Sequence, residues 1–344
     1  CRSAIRLGIV DASSPGKELP PRIAGVGAAR KLGLDLALTL PTSARGRRVL
    51  ICLDADTRVP NDYLAVIRRR FSHRENAAGI VSFAHLLTDG METRAAILCY
   101  EIFLRYYALA LSLAGSPYAF PCVGSTMVFN PDRYVAVRGM SLRSAGEDFY
   151  FLNKVRKTGI IEPLNDVVVH PAACLSDRVP FGTGRRLMRH LRGERNEYLL
   201  YHPEIFTVLR AWIEWMEAAW DEPPSIMLQA ANRIHPELRV FLELQEFGGA
   251  WARLRQNTRD IRTRHIAFHT WFDGFRTLKL IHHLTAAAYP LQPMYASLTW
   301  LLTTLRQTVL PTKPNRFETD LEAQAEVLAV LRAYPFSIAQ RRHF

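Results

Sequence analysis

Over roughly its first 175 residues the chain alternates short apolar, β-branched runs with stretches of helical period, and that alternation leaves few architectures open. Residues 5–10 read as a strand, followed by the turn-rich Ser13-Ser14-Pro15-Gly16. Residues 25–40 read as a helix entered through glycines. Residues 48–53 (RVLICL), with five of six side chains apolar, read as a strand buried on both faces. A helix over 61–71, a strand over 79–83 and a long helix over 93–114 follow, and Glu101 and Arg105 on the last stand at i, i+4. Strands over 126–129 and 167–170 flank a helix over 147–157, which Gly159 closes. The expected class is therefore α/β, with a Rossmann-like sheet carrying helices on both faces. After about Gly184 strand signals vanish, and all six tryptophans fall beyond that point. The chain divides into an α/β core over 1–190 and a helical region over 191–344.

Chain length and a hydrophobic share of 49% allow a sizeable core and exclude disorder. The net charge is +12, and of the 44 basic residues only six are lysine. Arginine's planar fork suits phosphates and carboxylates, so anionic ligands fit, although no block matches a nucleic-acid recognition motif. Base composition of the gene inflates arginine equally well. Cys1, Cys52, Cys99, Cys122 and Cys174 include no CxxC pair or zinc spacing, which suits a reducing compartment. The uncharged stretch 284–305 contains Pro290, Gln292 and Pro293, which argues for a buried or membrane-facing hairpin over a membrane span. The expected location is the cytoplasm, with peripheral contact at the inner membrane face. No signal peptide is visible, and the start at Cys1 suggests a missing upstream piece.

Chemistry is carried by a few short segments. Asp54-Ala55-Asp56 directly follows the buried strand, at the edge where open α/β sheets bind ligands. Two carboxylates spaced by one small residue can hold a divalent cation that grips a diphosphate, although a solvated turn has the same composition. Gly146-Glu147-Asp148 opens a helix; the plain reading is a cap, and the helix dipole should keep Asp148 ionised and able to accept a proton. Gly124-Ser125-Thr126 leads into the strand MVF, where glycine lets a ligand approach the backbone. His170 ends the run VVV and is by type more often structural than a ligand. Residues 176–186 (SDRVPFGTGRR) combine Gly182 and Gly184 with Arg178, Arg185 and Arg186, as a mobile lid over phosphates would. Farther on, His265, His269 and Asp273 share one helix face and could hold a second metal ion; Ile266 stands where a zincin needs Glu, and the plain reading is a polar seam against the α/β part.

The ordered set GVGAARKLGLDLAL, LICLDADT, GSTMVF, GEDFYFLNKV and VVVH resembles the family 2 glycosyltransferases of the GT-A fold, over residues 1–190. The resemblance implies transfer of a sugar from a nucleotide-diphosphate sugar to an acceptor hydroxyl, with inversion, aided by Mn²⁺ or Mg²⁺. It implies Asp148 as the base, Asp56 and His170 as metal ligands, and Glu147 with Gly124, Ser125 and Thr126 at the acceptor. Gly25, Gly27, Arg30, Lys31, Asp54, Arg178 and Arg185 would contact the nucleotide sugar. The implied acceptor is a saccharide, a lipid-linked group or a small molecule, and no nucleic acid is expected.

The family's opening strand with its nucleobase pocket has no counterpart, and Ala29-Arg30-Lys31 replaces ARN. The Q-x-x-R-W of processive synthases is absent, which points to single transfers. A non-catalytic binding module on a degenerate transferase fold is the rival reading. A nicotinamide-binding Rossmann domain is weaker, since Arg30 stands where the third glycine belongs. A P-loop is excluded because Gly16-Lys17 is followed by Glu18.

Overall fold

The computed structural model of the chain describes residues 7–40, 48–71, 77–143, 145–177, 182–307 and 313–334. The α/β part runs α1 (Val26–Thr39), β1 (Leu50–Ile51), α2 (Tyr63–Phe71), β2 (Ala78–Phe83), α3 (Met91–Leu113), β3 (Met127–Phe129), α4 (Pro131–Ala136), α5 (Glu147–Lys157), β4 (Glu162–Val169) and α6 (Thr183–Leu191). Beyond it come β5 (Leu199–Leu200), α7 (Pro203–Ala218), α8 (Pro224–Ile234), α9 (Pro236–Leu244), α10 (Phe247–Asn257), α11 (Ile261–Trp271), α12 (Gly274–Ala287), β6 (Gln292–Pro293), α13 (Met294–Thr304) and α14 (Leu321–Ala333). The protein is α/β and mostly helical.

The main sheet has four strands in the order β1-β3-β2-β4. β2 and β4 run parallel, whereas β3 runs antiparallel to both its neighbours, β1 and β2. The sheet is thus small and mixed, where the sequence had suggested a larger Rossmann-like one. Helices do cover both faces. Met127 and Phe129 point into a core shared with Leu34 of α1, Tyr134 of α4 and Phe151 of α5. Val128 points the other way, into a core with Val66 of α2, Val81 and Val169. That alternation is the period-two side-chain pattern of any strand.

Other expectations need correcting. Residues 5 and 6 of the first expected strand lie outside the described residues, and 7–10 form no strand, with Leu7 and Ile9 exposed; three apolar residues and a glycine without a neighbouring ladder cannot satisfy their own backbone. Of the run RVLICL, only Leu50 and Ile51 pair as a strand, extended by the Cys52 N–H donating to the Met127 carbonyl at 2.9 Å. The helical region is also not free of strands, since β5 and β6 pair antiparallel.

The largest core joins the two parts. Leu98, Ile102, Tyr106 and Leu109 of α3 pack with Trp212, Phe247, Trp251 and Leu298 of the helical region. α3 is the one helix among the described residues long and apolar enough to cross a membrane, and 67% of its most apolar window is buried in protein. The stretch 284–305 is broken as its prolines require, with α12 ending at Ala287 and α13 starting at Met294.

Candidate active site

Four of the motif segments converge at one end of the sheet. The Asp54 carboxylate stands after β1, in a turn closed by the Thr57 N–H donating to the Asp54 carbonyl at 3.0 Å. Arg30 reaches over from α1. One of its terminal nitrogens donates to Asp54 Oδ1 and the other to Glu147 Oε1. The guanidinium lies against the bare Cα of Gly124, where a Cβ would overlap it. Residues 30, 54, 124 and 147 therefore form one packed unit, although each comes from a different segment. Arg30 keeps its charge here: burial opposes it, but Asp54 and Glu147 outweigh that and push its pKa up. Gly124→Ala is expected to drive Arg30 off both carboxylates. The signature is loss of Arg30 side-chain protection in arginine-selective labelling, and unchanged labelling would show that Arg30 can share the space.

α5 is preceded by Gly146 at its N-cap, whose φ of 67° lies in the left-handed region that glycine enters without strain. Its first turn carries Glu147 and Asp148, and its last turn Lys154, Arg156 and Lys157, a charge order that complements the helix dipole. Asp148 Oδ1 accepts from the Phe149 N–H at 2.7 Å. Even so, its pKa is raised to about 7. Burial of the carboxylate is the main cause and the charge of Glu147 the second, and together they outweigh the Phe149 N–H and Arg30. The sequence suggested that the dipole would hold Asp148 ionised; enclosure beside a second carboxylate wins instead.

Asp56 stands two residues before Arg58, which pairs with His170. Arg58 and His170 form an antiparallel bridge, with N–H···O distances of 2.9 and 2.8 Å. His170 Nδ1 lies 3.0 Å from the Ala84 carbonyl, which can only accept, so Nδ1 carries the proton. That bond orients the ring and leaves Nε2 to act as a ligand when the imidazole is neutral, an arrangement common behind metal-bound histidines. Asp56 is exposed. Among the described residues no cluster of three or more His, Cys, Asp or Glu could hold a metal ion.

The remaining candidates are placed as follows. Gly25 caps α1. Gly27 lies against the carbonyls of Ser141 and Arg143, at 2.6 and 2.5 Å from where its Cβ would be, so its small size serves helix-to-loop packing. Lys31 pairs with Asp35 at 2.9 Å, one turn along α1. Thr126 Oγ1 donates to the Val123 carbonyl at 2.7 Å, and Ser125 is buried with its hydroxyl unpartnered.

Arg178 lies outside the described residues, as does the middle of the lid expected over 176–186. From Thr183 on, that segment is not an open loop. Thr183–Leu191 is helical, and Gly184 fits so tightly that a Cβ would meet Ser176 at 2.6 Å. Arg185 pairs with Glu194 at 2.8 Å and Arg186 with Glu197 at 3.1 Å. Asp273 does not share a helix with His265 and His269: α11 ends at Trp271, and Asp273 caps α12, accepts from Asn153 at 3.1 Å and pairs with Lys157 of α5.

A cavity of about 200 Å³ went unnoticed in the sequence. Its walls come from α3, residues 118–122, α5, Tyr201 and α12. The one signal for it is the stripe Phe103, Tyr107 and Leu111 at i, i+4 and i+8 on α3, which reads equally well as core.

Compared with known family models, with curated proteins and with solved structures, the chain matches none.

Proposed function

We propose that the protein is a glycosyltransferase of the GT-A type, moving a sugar from a nucleotide-diphosphate sugar to an acceptor hydroxyl. The observation that supports it best is Asp148, a carboxylate with a pKa of about 7 beside the Arg30-linked Asp54 and Glu147. A base works best when its pKa lies near the working pH. In the proposed reaction the acceptor oxygen attacks the anomeric carbon while its proton passes to Asp148. A new C–O bond forms, the bond from the anomeric carbon to the diphosphate breaks, and the diphosphate leaves with the electron pair. Glu147, held by Arg30, keeps the proton affinity of Asp148 high.

Asp56 and His170 carry a carboxylate and an imidazole, donors that suit Mn²⁺. They are two ligands, so they fit a metal only if donor phosphates complete its shell. Such an ion, when bound, would neutralise charge on a departing diphosphate. His170→Ala is expected to raise the Mn²⁺ concentration for half-maximal rate and to narrow the preference for Mn²⁺ over Mg²⁺, with partial rescue at high metal. An unchanged metal titration would make His170 a purely structural residue.

A donor-hydrolysis screen over common nucleotide sugars, with Mn²⁺ present, tests the whole reading. Release of nucleoside diphosphate from at least one donor, abolished in Asp56→Ala, is the expected result. No release from any of them would overturn it. The binding-module alternative draws on one observation: Arg30 is already engaged by Asp54 and Glu147, as in a site filled by its own side chains. It predicts stabilisation by a nucleotide without turnover.

A further inference from the structure

The cavity of about 200 Å³ sits between α3, α5 and α12, so the helical region supplies one of its walls. Phe103, Tyr107, Phe120, Phe149 and Leu278 are among the side chains that face it. Tyr107, Thr277, Cys122, Asn153, Tyr118 and Tyr201 bring polar groups to its walls, and the last three are already engaged by the protein. Asn153 donates to Asp273 and accepts from the Gly274 N–H at 2.9 Å. The Tyr118 hydroxyl donates to the His269 carbonyl at 2.7 Å, and the Tyr201 hydroxyl lies 3.0 Å from His282 Nε2. A guest therefore meets mainly carbon. An apolar cavity of about 150 Å³ stays dry and takes a benzene-sized guest, so this one has room for a ring or a short alkyl chain.

The wall continues into the carboxylate cluster at two points of the chain. Phe149 directly follows Asp148 on α5, and Cys122 stands two residues before the Gly124 that backs Arg30. The thiol of Cys122 is pushed well above its usual value, first by burial and then by the charge of Asp148.

We propose that this cavity receives the apolar end of the acceptor, an alcohol whose hydroxyl is presented to Asp148. The proposal rests on the glycosyltransferase reading and narrows its acceptor class. In the step itself the alcohol oxygen bonds to the anomeric carbon, its proton goes to Asp148, and the diphosphate leaves with the bonding pair. The helical region then selects the acceptor by excluding polar ones, which would lose hydrogen bonds to water on entry.

The test uses 1-octanol, 2-phenylethanol and glycerol with the full chain. In ligand-observed NMR the two apolar alcohols should bind at least about tenfold tighter than glycerol, given the apolar surface they bury. Leu278→Trp, at a half-buried position of the wall, should abolish that difference while leaving the melting curve intact. Equal affinity for all three alcohols in the wild type, which needs no variant, would overturn the proposal. So would a preference that survives in Leu278→Trp.

Donor hydrolysis without acceptor reads the glycosyltransferase assignment separately. Hydrolysis without alcohol preference sinks the cavity's role alone, and preference without hydrolysis sinks the acceptor role together with transfer. Free 1-octanol compared with 1-hexadecanol in phosphatidylcholine vesicles separates a soluble acceptor from a membrane-borne one. Transfer to either supports the cavity's role, and transfer to neither overturns it.

Discussion

Asp148→Asn is expected to lower kcat by about 10²–10⁴-fold, the usual contribution of a positioned proton acceptor. Donor affinity should change little, because the base serves the acceptor. The pH dependence carries the same assignment: a base with a pKa of about 7 must lose its proton to work, so the rate should rise with pH through neutrality and level off above it. Glu147→Gln should move that rise toward lower pH, because the charge of Glu147 is the second cause holding the Asp148 pKa up.

Stability gives a reading independent of turnover. In the fold Asp148 binds its proton more tightly than the ordinary 3.8, so its charged form costs stability above neutrality. That cost fades as pH falls from about 7 toward 3.8. Asp148→Asn should therefore melt higher than the wild type above neutrality and lose that advantage in acid. Near wild-type kcat, or a melting difference independent of pH, would remove Asp148 from the proposed role.

Glu101→Ala should destabilise the protein by about 3–5 kcal/mol, the range for stripping one partner from a buried ionic cluster. Glu101 is fully buried on α3. It accepts from Arg105 Nε at 2.9 Å, from Arg332 Nε and Nη2 at 2.8 Å each, and from the His85 N–H at 2.9 Å. Burial alone would push its carboxyl up, but Arg332, His85 and Arg105 hold it well below the usual carboxylate range. Its stabilising effect should thus be complete above the ordinary 4.5 and decline as pH falls below it. Arg332 lies on α14, so the variant should also expose that helix. Urea unfolding and hydrogen exchange over Leu321–Ala333 are the measurements. A loss under about 1 kcal/mol, in the range of surface pairs, would show the cluster to be dispensable.

Glu101 and Arg105 illustrate how far the sequence could be read. Their i, i+4 spacing was legible as a helix pair, since helical neighbours follow from spacing alone. Nothing in the spacing indicated that the pair is buried, or that Arg332, far along the chain, shares it. The place of β1 was likewise legible from continuous apolar character, although only two of the six residues pair, and the start of α5 was legible from its glycine and acidic first turn. Both depend on neighbours within a few residues. The antiparallel placement of β3 was not legible, because strand direction depends on how the intervening chain returns.

Local pattern thus located α1, α2, α3 and α5, most of the strand positions and the segments proposed to carry chemistry, while α4 and α6 went unread. Tertiary structure alone decided that Arg30 would join Asp54 to Glu147, that Asp148 would hold its proton near neutrality, and that an apolar cavity would form beside them. The physical reason is range. Propensity, capping and periodicity act between residues close in the chain, whereas burial and charge coupling depend on which distant segments the fold packs together.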